Sequence, residues 1–242
     1  MIYAIGDIHG SMLELKALHN IIMRHSKAHD EEHTVVFLGD YIDRGENSKH
    51  VVDFLSKKPF KGFKHFYLKG NHEDMVKNVY DLSPEMRWGS WVNMWVGNGG
   101  DTTLRDYGLF THDIGLSTND PHDLLEFIKM CQPNYRKGNF FFVHAGIKPH
   151  RLLKNQTRDD MMWIRREFLE YTGDWEETFG KKDMIVVHGH TPISYDPRRN
   201  GNPKNEPLVL NNRINLDTGL ISTGKHGCIV IDNNGNELLE IL

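Results

Sequence analysis

One pattern in the first third of the chain constrains its fold more than any other. A short apolar run stops at a glycine, a metal-competent side chain follows, and a helical stretch comes next. Residues 1–5 run into Gly6-Asp7, residues 34–38 into Gly39-Asp40, and residues 63–68 into a loop ending at Gly70-Asn71. Short apolar runs bounded by glycine read as buried strands. After the first run, Leu15, Leu18, Ile21 and Ile22 recur at helical spacing with Ser11 placed to cap, and a second helix carries Val51, Val52, Phe54 and Leu55. Strand, polar loop and helix, three times in succession, predict an α/β sheet with parallel strands. Such sheets bind ligands beyond the carboxyl ends of their strands.

The same edge is reached twice more. Residues 140–143 end at His144-Ala145-Gly146, and residues 184–187 at His188-Gly189-His190. Between the two groups, residues 74–138 show no comparable strand and read as a mainly helical insertion over the site. In it Trp88, Trp91 and Trp95 follow helical spacing, as a packed apolar stripe would. Residues 193–212, rich in Pro, Asn and Arg, read as a surface loop, and its basic group Pro197-Arg198-Arg199-Asn200 with Lys204 as solvated. The runs 213–216, 227–232 and 237–241 read as a β-meander forming a second sheet packed on the first. A length of 242 residues fits a single domain spanning 1–242.

Composition narrows the function classes. A net charge of −4 gives no global basic footprint for nucleic acid or an anionic membrane. No apolar run approaches the roughly 20 residues that span a bilayer, and the first residues lack the layout of a secretory signal, so a cytoplasmic protein is expected. Cys131 and Cys228 stand far apart without a CxxC pair, and packing is their expected role. Histidine, with 15 residues, is the unusual count, and it is the side chain that most often ligates metals and moves protons near neutral pH.

Asp7, His9, Asp40, Asp43, Asn71, His72, His144 and His190 all lie just past strand ends. Neighbouring strands would bring them together, and a mixed N/O donor set suits Mn²⁺, Fe²⁺ or Zn²⁺ better than calcium. Two such cations about 3.5–4 Å apart can clamp the attacking and leaving oxygens of an in-line displacement at phosphorus.

Gly6-Asp7-Ile8-His9-Gly10, Gly39-Asp40-Tyr41-Ile42-Asp43-Arg44-Gly45 and Gly70-Asn71-His72-Glu73 resemble the three signature motifs of the phosphoprotein phosphatase family, within the calcineurin-like metallophosphoesterases. His144-Ala145-Gly146 and Gly189-His190-Thr191 resemble its two later metal-histidine motifs, and residues 213–219 resemble its bacterial and phage branch. The resemblance implies a sandwich of two packed mixed β-sheets flanked by helices. It implies a first metal held by Asp7, His9 and Asp40, and a second by Asp40, Asn71, His144 and His190, with Mn²⁺ the choice for activity and Fe or Zn as alternatives. It further implies direct attack by a hydroxide bridging the metals, with His72 as general acid, Asp43 paired to it, and Arg44, Arg165 and Asn71 binding the phosphate. Arg165 fits the second arginine better than Arg166, and His188 reads as a strand-end neighbour rather than a ligand. The Asn98-Gly99-Gly100-Asp101 turn resembles a feature lying near the family's substrate cleft.

Each motif alone has a plainer reading: a capping aspartate, a local ion pair, or a helix start in which Asn71 caps. Glu73 takes no chemical role, and His19, His25, His29, His33 and His50 are expected at the surface. Together the motifs point to a monomeric phosphatase acting on phosphoserine and phosphothreonine in proteins, with phosphotyrosine as a further candidate. Two alternatives stand beside it: hydrolysis of symmetrical dinucleoside tetraphosphates on the same site, and a non-catalytic binding domain. The protein-phosphatase form of the second motif favours phosphoproteins over the nucleotide substrate, and the intact acid pair and ligand set disfavour the binding domain.

Overall fold

The computed structural model describes residues 1–242 apart from 84, 85, 87, 88, 112–114, 117–119 and 204, so that Trp88 and Lys204 lie outside the described residues. The N-terminal runs form β1 (Ile2–Ile5), β2 (His33–Phe37) and β3 (Phe63–Tyr67), each followed by a helix: α1 (Met12–Ser26), α2 (Ser48–Ser56) and α3 (Asn71–Tyr80). The next stretch holds α4 (Ser90–Trp95), a π-helical turn (Val96–Gly100), α5 (Asp101–Asp106), a small hairpin of β4 (Phe110–Thr111) and β5 (Gly115–Leu116), and α6 (His122–Met130). Then come β6 (Asn134–Lys137), β7 (Phe140–Val143), α7 (Arg158–Trp163), α8 (Arg166–Leu169) and β8 (Ile185–His188). The last strands are β9 (Leu208–Val209), β10 (Arg213–Asn215), β11 (Cys228–Ile231) and β12 (Leu238–Ile241).

Two five-stranded mixed sheets result, in the orders β12-β11-β1-β2-β3 and β6-β7-β8-β10-β9. Strand periodicity sorts their side chains into layers. Ile2 and Ala4 of β1 meet Phe140 and Phe142 of β7 between the sheets. Tyr3 and Ile5 face the other way, onto Leu15, Leu18, Val51 and Val52 of α1 and α2. Phe141 and Val143 turn out toward Phe168 and Trp175. The parallel strands β1-β2-β3 and β7-β8-β10 thus end side by side at one edge of a four-layer sandwich.

The expected sandwich and parallel units are present, with local differences. The C-terminal runs do not form a meander: β10 lies parallel to β8 in the second sheet, while β11 crosses back to pair antiparallel with β1 in the first. Alternation reports which face of a strand is buried but not which sheet it joins. The 74–138 stretch is mainly helical but contains β6, whose polar Asn134-Tyr135-Arg136-Lys137 sequence suits an edge strand and hides the periodic signal. Ser11 precedes α1 but makes no side-chain capping bond. Asn71 is the first residue of α3 rather than its cap, and Gly70 takes the cap position. His19, His25, His29 and His33 are half-buried rather than at the surface, and the His19 ring stacks edge-on against Phe60 at 4.8 Å. Both cysteines are buried and unpaired. No described helix is long and apolar enough to cross a membrane.

Candidate metal centre and acid pair

The parallel strands deliver polar side chains to the shared edge, and the turns that do so are conformationally costly. Among the described residues, eight non-glycine residues have positive φ, and five of them are His9, Asp40, Asp43, Arg44 and His190. A left-handed non-glycine residue costs roughly 1–2 kcal/mol, and strain of this kind concentrates at functional sites. The loops are locked by backbone bonds: the His9 N–H donates to Asp40 O at 2.9 Å and the Gly10 N–H to Tyr41 O at 2.8 Å. Glu73, fully buried, is the main brace. Its carboxylate accepts from the N–H groups of Asp40, Tyr41 and Gly70 at 2.9, 2.9 and 3.0 Å, which ties the second strand end to the start of α3. Gly70 is needed there because a Cβ would fall 2.1 Å from Asp40 Oδ1.

Around Asp40 the ligand-type atoms converge. Asp40 Oδ1 is 3.4 Å from His144 Nε2, and its Oδ2 is 3.6 Å from His9 Nε2. Asn71 Oδ1 stands 2.9 Å from His144 Nε2 and 2.7 Å from His190 Nδ1. Carbonyl oxygens accept at the far nitrogens: Ile42 O lies 2.9 Å from His9 Nδ1, and Leu38 O 2.9 Å from His144 Nδ1. These bonds put the protons on Nδ1 and leave both Nε2 lone pairs facing Asp40. Burial drives the His9, His144 and His190 pKa values down, so neutral imidazoles are favoured. The Arg44 guanidinium lies 3.0 Å from His9 Nε2, but the His144 Nε2 lone pair faces only oxygens, Asn71 Oδ1 and Asp40 Oδ1, and such atoms repel unless a cation stands among them. The donor chemistry therefore fits divalent metal ions, and two three-residue groups could hold them: His9, Asp40 and His72, and Asp40, His144 and His190.

Charge supports the same reading. Asp7 is buried with its carboxyl pushed well up by burial and by the charges of Asp217 and Asp40. Burial also works against the Asp40 charge, but the positive charge that the four surrounding histidines carry when protonated outweighs it and holds the carboxyl low. Asp217, two residues past β10, is pushed up to about 6, again chiefly by burial. One of its oxygens accepts from Gly219 N–H at 3.0 Å, and Oδ2 has no hydrogen-bond partner among the described residues. Buried carboxylates of one sign pay a large desolvation penalty unless a cation compensates them.

His72 and Asp43, expected to pair, are in contact. His72 Nδ1 lies 2.6 Å from Asp43 Oδ2. Burial opposes protonation of His72, but the Asp40 and Asp43 carboxylates prevail and raise its pKa. His72 Nε2 is buried, without a hydrogen-bond partner among the described residues, and 3.8 Å from Asp40 Oδ2. Asp43 is held in turn by the insertion: the Trp95 indole donates to Oδ2 at 2.9 Å and Thr103 Oγ1 to Oδ1 at 2.6 Å. The tryptophans are therefore not a uniform packed stripe. Trp95 is fully buried with a polar task, and Trp91 is 39% exposed.

Sequence reasoning places the remaining residues with mixed success. Asp7 adjoins the cluster rather than joining either three-residue group; its oxygens accept from the His190 N–H at 3.2 and 3.0 Å. Arg44 Nη1 is 3.0 Å from His9 Nε2, and the Arg44 N–H donates to Gly99 O at 3.0 Å. Gly99 has φ +98° and a Cβ there would meet Arg44 Cγ at 2.8 Å, so the turn expected near the cleft seats this arginine. Arg165 donates to Thr191 Oγ1 at 2.8 Å and to His190 O at 3.3 Å, whereas Arg166 pairs with Glu170 with its side chain 86% exposed. His188 is outside the cluster. Its Nε2 accepts from Arg213, which is itself paired in a bidentate manner with Asp196 at 2.7 Å. Asp217, Trp95 and Thr103 were not expected at the site, since none belongs to a ligand motif, although Asp217 follows a strand and lies in the 213–219 stretch that resembles the bacterial and phage branch.

Comparison with known proteins agrees with this architecture. The PrpE bis(5'-nucleosyl)-tetraphosphatase [asymmetrical] of Oceanobacillus iheyensis is 26% identical over 239 residues, covering 91% of this chain and 84% of that protein. The Bacillus subtilis protein of the same name is 27% identical over 241 residues, covering 90% and 85%. Among solved structures, a candidate diadenosine tetraphosphatase aligns with a TM-score of 0.60 at 20% identity, covering 98% of this chain and 91% of that one. A cold-active protein-tyrosine phosphatase of a psychrophilic Shewanella aligns at 0.53 and 16%, covering 100% and 80%. The model of the calcineurin-like phosphoesterases matches residues 1–224, the span that carries every strand end of the site, and the chain belongs to that family.

Proposed function

We propose that this chain hydrolyses dinucleoside tetraphosphates, using two divalent metal ions and the His72–Asp43 pair. The observation that carries the substrate is the shared name of relatives aligned over nine-tenths of the chain, asymmetrical bis(5'-nucleosyl)-tetraphosphatase. This replaces phosphoproteins with the nucleotide alternative, and symmetrical with asymmetrical cleavage. The second motif does not discriminate between these substrates, for a physical reason. Its Asp43 faces His72 and its Arg44 faces His9, so both serve the phosphate and neither touches what hangs from it.

Asp7, His9 and Asp40 would hold one ion, and Asp40, Asn71, His144 and His190 the other; Mn²⁺ is the ion of choice, with Fe or Zn accepted by the same donors. When bound, the ions supply hydroxide at neutral pH and neutralise charge on the phosphoryl oxygens. The side chains do the rest. His72 donates its Nε2 proton to the departing oxygen, and Asp43 fixes its orientation and favours its charged form. Arg44 and Arg165 bind phosphate oxygens through planar guanidinium groups, and Asn71 orients beside them.

The test compares kcat/KM for diadenosine tetraphosphate and for a phosphothreonine peptide, with Mn²⁺ added to metal-stripped protein and the nucleotide products resolved. The expected result is a preference of tenfold or more for the dinucleotide, with ATP and AMP formed in equal amounts. ADP as the sole product would restore symmetrical cleavage, and preference for the peptide would overturn the reading.

A further inference from the structure

Beside the candidate metal centre lies a cavity of about 400 Å³ walled by Arg165, Leu169, Thr191, Tyr195 and Pro197, and by the Arg166–Glu170 ion pair. Arg165 belongs to both places. It donates to Thr191 Oγ1 and His190 O, and it lies in the field of Asp40, Asp217 and Asp7. Across the cavity Tyr195 is 78% exposed, in a fold whose other tyrosines near the strand ends, Tyr41 and Tyr67, are core.

The exposed ring is not on a loose loop. It ends a 3₁₀ turn (Ile193–Tyr195) whose first residue is fully buried. The Ile193 N–H donates to Asp217 O at 2.8 Å, which fastens the turn to the metal edge. The residue after Tyr195 is Asp196, clamped by Arg213 and by Asn215. A large aromatic surface is thus held in water in the lining of the cavity, which it shares with a guanidinium bonded to His190 O and Thr191 at the metal edge.

We propose that this cavity is a nucleoside subsite. A nucleobase stacks on Tyr195, its ribose fills the cavity against Leu169 and Pro197, and Arg165 takes the adjoining phosphate. The inference rests on the dinucleotide reading above and deepens it. The volume is within the range of small-ligand pockets, and a base gains affinity by stacking on an aromatic ring whatever its identity. Because every base has a π-face, the subsite accepts purines without choosing between them.

The test measures KM for diadenosine tetraphosphate and the inhibition constant of inorganic tetraphosphate, which offers the same phosphate chain without a base, on Mn²⁺-loaded protein. Tyr195→Ala is expected to raise KM for the dinucleotide about tenfold. It should leave inhibition by inorganic tetraphosphate within about twofold, and Tyr195→Phe should behave as the parent because the ring is what acts. An unchanged KM, or an equal weakening of both ligands, overturns the subsite while the dinucleotide reading stands. Failure of the parent protein to hydrolyse the dinucleotide overturns that reading and the subsite with it.

Discussion

Two buried polar clusters stand two residues apart at the end of β8, and they are built to opposite rules. Around His188 both ring nitrogens and the Arg213 fork are paired within the chain: Nδ1 bonds Gly189 O, Nε2 accepts from Arg213, and Arg213 grips Asp196 with both Nη atoms, leaving only Arg213 Nε without a hydrogen-bond partner among the described residues. Around His190 the accounts stay open: Asn71 Oδ1 faces two imidazole nitrogens, while His190 Nε2, His72 Nε2 and Asp217 Oδ2 have no hydrogen-bond partner among the described residues. A buried polar group without a partner is costly. The closed cluster therefore reads as architecture and the open one as a place where something binds. Sequence spacing cannot separate His188 from His190; satisfaction of their nitrogens does.

That contrast can be broken by experiment. The largest effect belongs to the closed cluster. Asp196→Ala leaves the Arg213 guanidinium buried without its partner, and should lower stability by about 3–5 kcal/mol in urea titrations, with or without metal. Asn71→Ala should do the reverse: the metal-stripped protein should unfold near the parent midpoint, but metal content should fall from two ions toward one. If Asn71→Ala instead destabilised the stripped protein as much as Asp196→Ala does, the distinction between the clusters would be lost.

Smaller effects sharpen the comparison. Asp217→Asn removes a buried negative charge beside Asp7 and Asp40 and should weaken metal affinity about tenfold, the lower end for residues that support metal ligands, read by metal titration. Acid stability tests the closed cluster from another side. Burial and the Arg213 charge depress the His188 pKa to about 3, below its unfolded value, so the unfolded chain binds the proton first. Stability from this group is present above about pH 6.5 and is lost as pH falls toward 3; a His188→Gln variant should show a flatter stability profile across that window. The smallest effect is expected from Trp95→Phe. Losing the indole N–H on Asp43 loosens the acid pair, and the alkaline limb of kcat, where His72 loses its proton, should move by less than about one pH unit. An unmoved limb would remove Trp95 from the acid's support and leave Thr103 as the insertion's hold on Asp43.

Much of the open cluster was legible because its signal is local: a strand, a glycine and a ligand side chain lie within a few consecutive residues. Asp40, Asn71, His72, His144 and His190 are found that way. The supports are not local. Trp95 and Thr103 reach Asp43 across 52 and 60 positions, and Glu73 grips the loop 33 positions upstream. The placement of β10 and β11 in different sheets depends on pairing partners that periodicity does not encode. Asp217 lies outside the five ligand motifs, so no local pattern marks it.

A count of bound metal separates the open cluster from the closed one. Stripped protein is titrated with Mn²⁺, and the bound ions per chain are measured for the parent, His188→Gln and His190→Gln. The account predicts two ions for the parent, two for His188→Gln and about one for His190→Gln. Fewer than two ions in the parent, or equal loss from both variants, would contradict it.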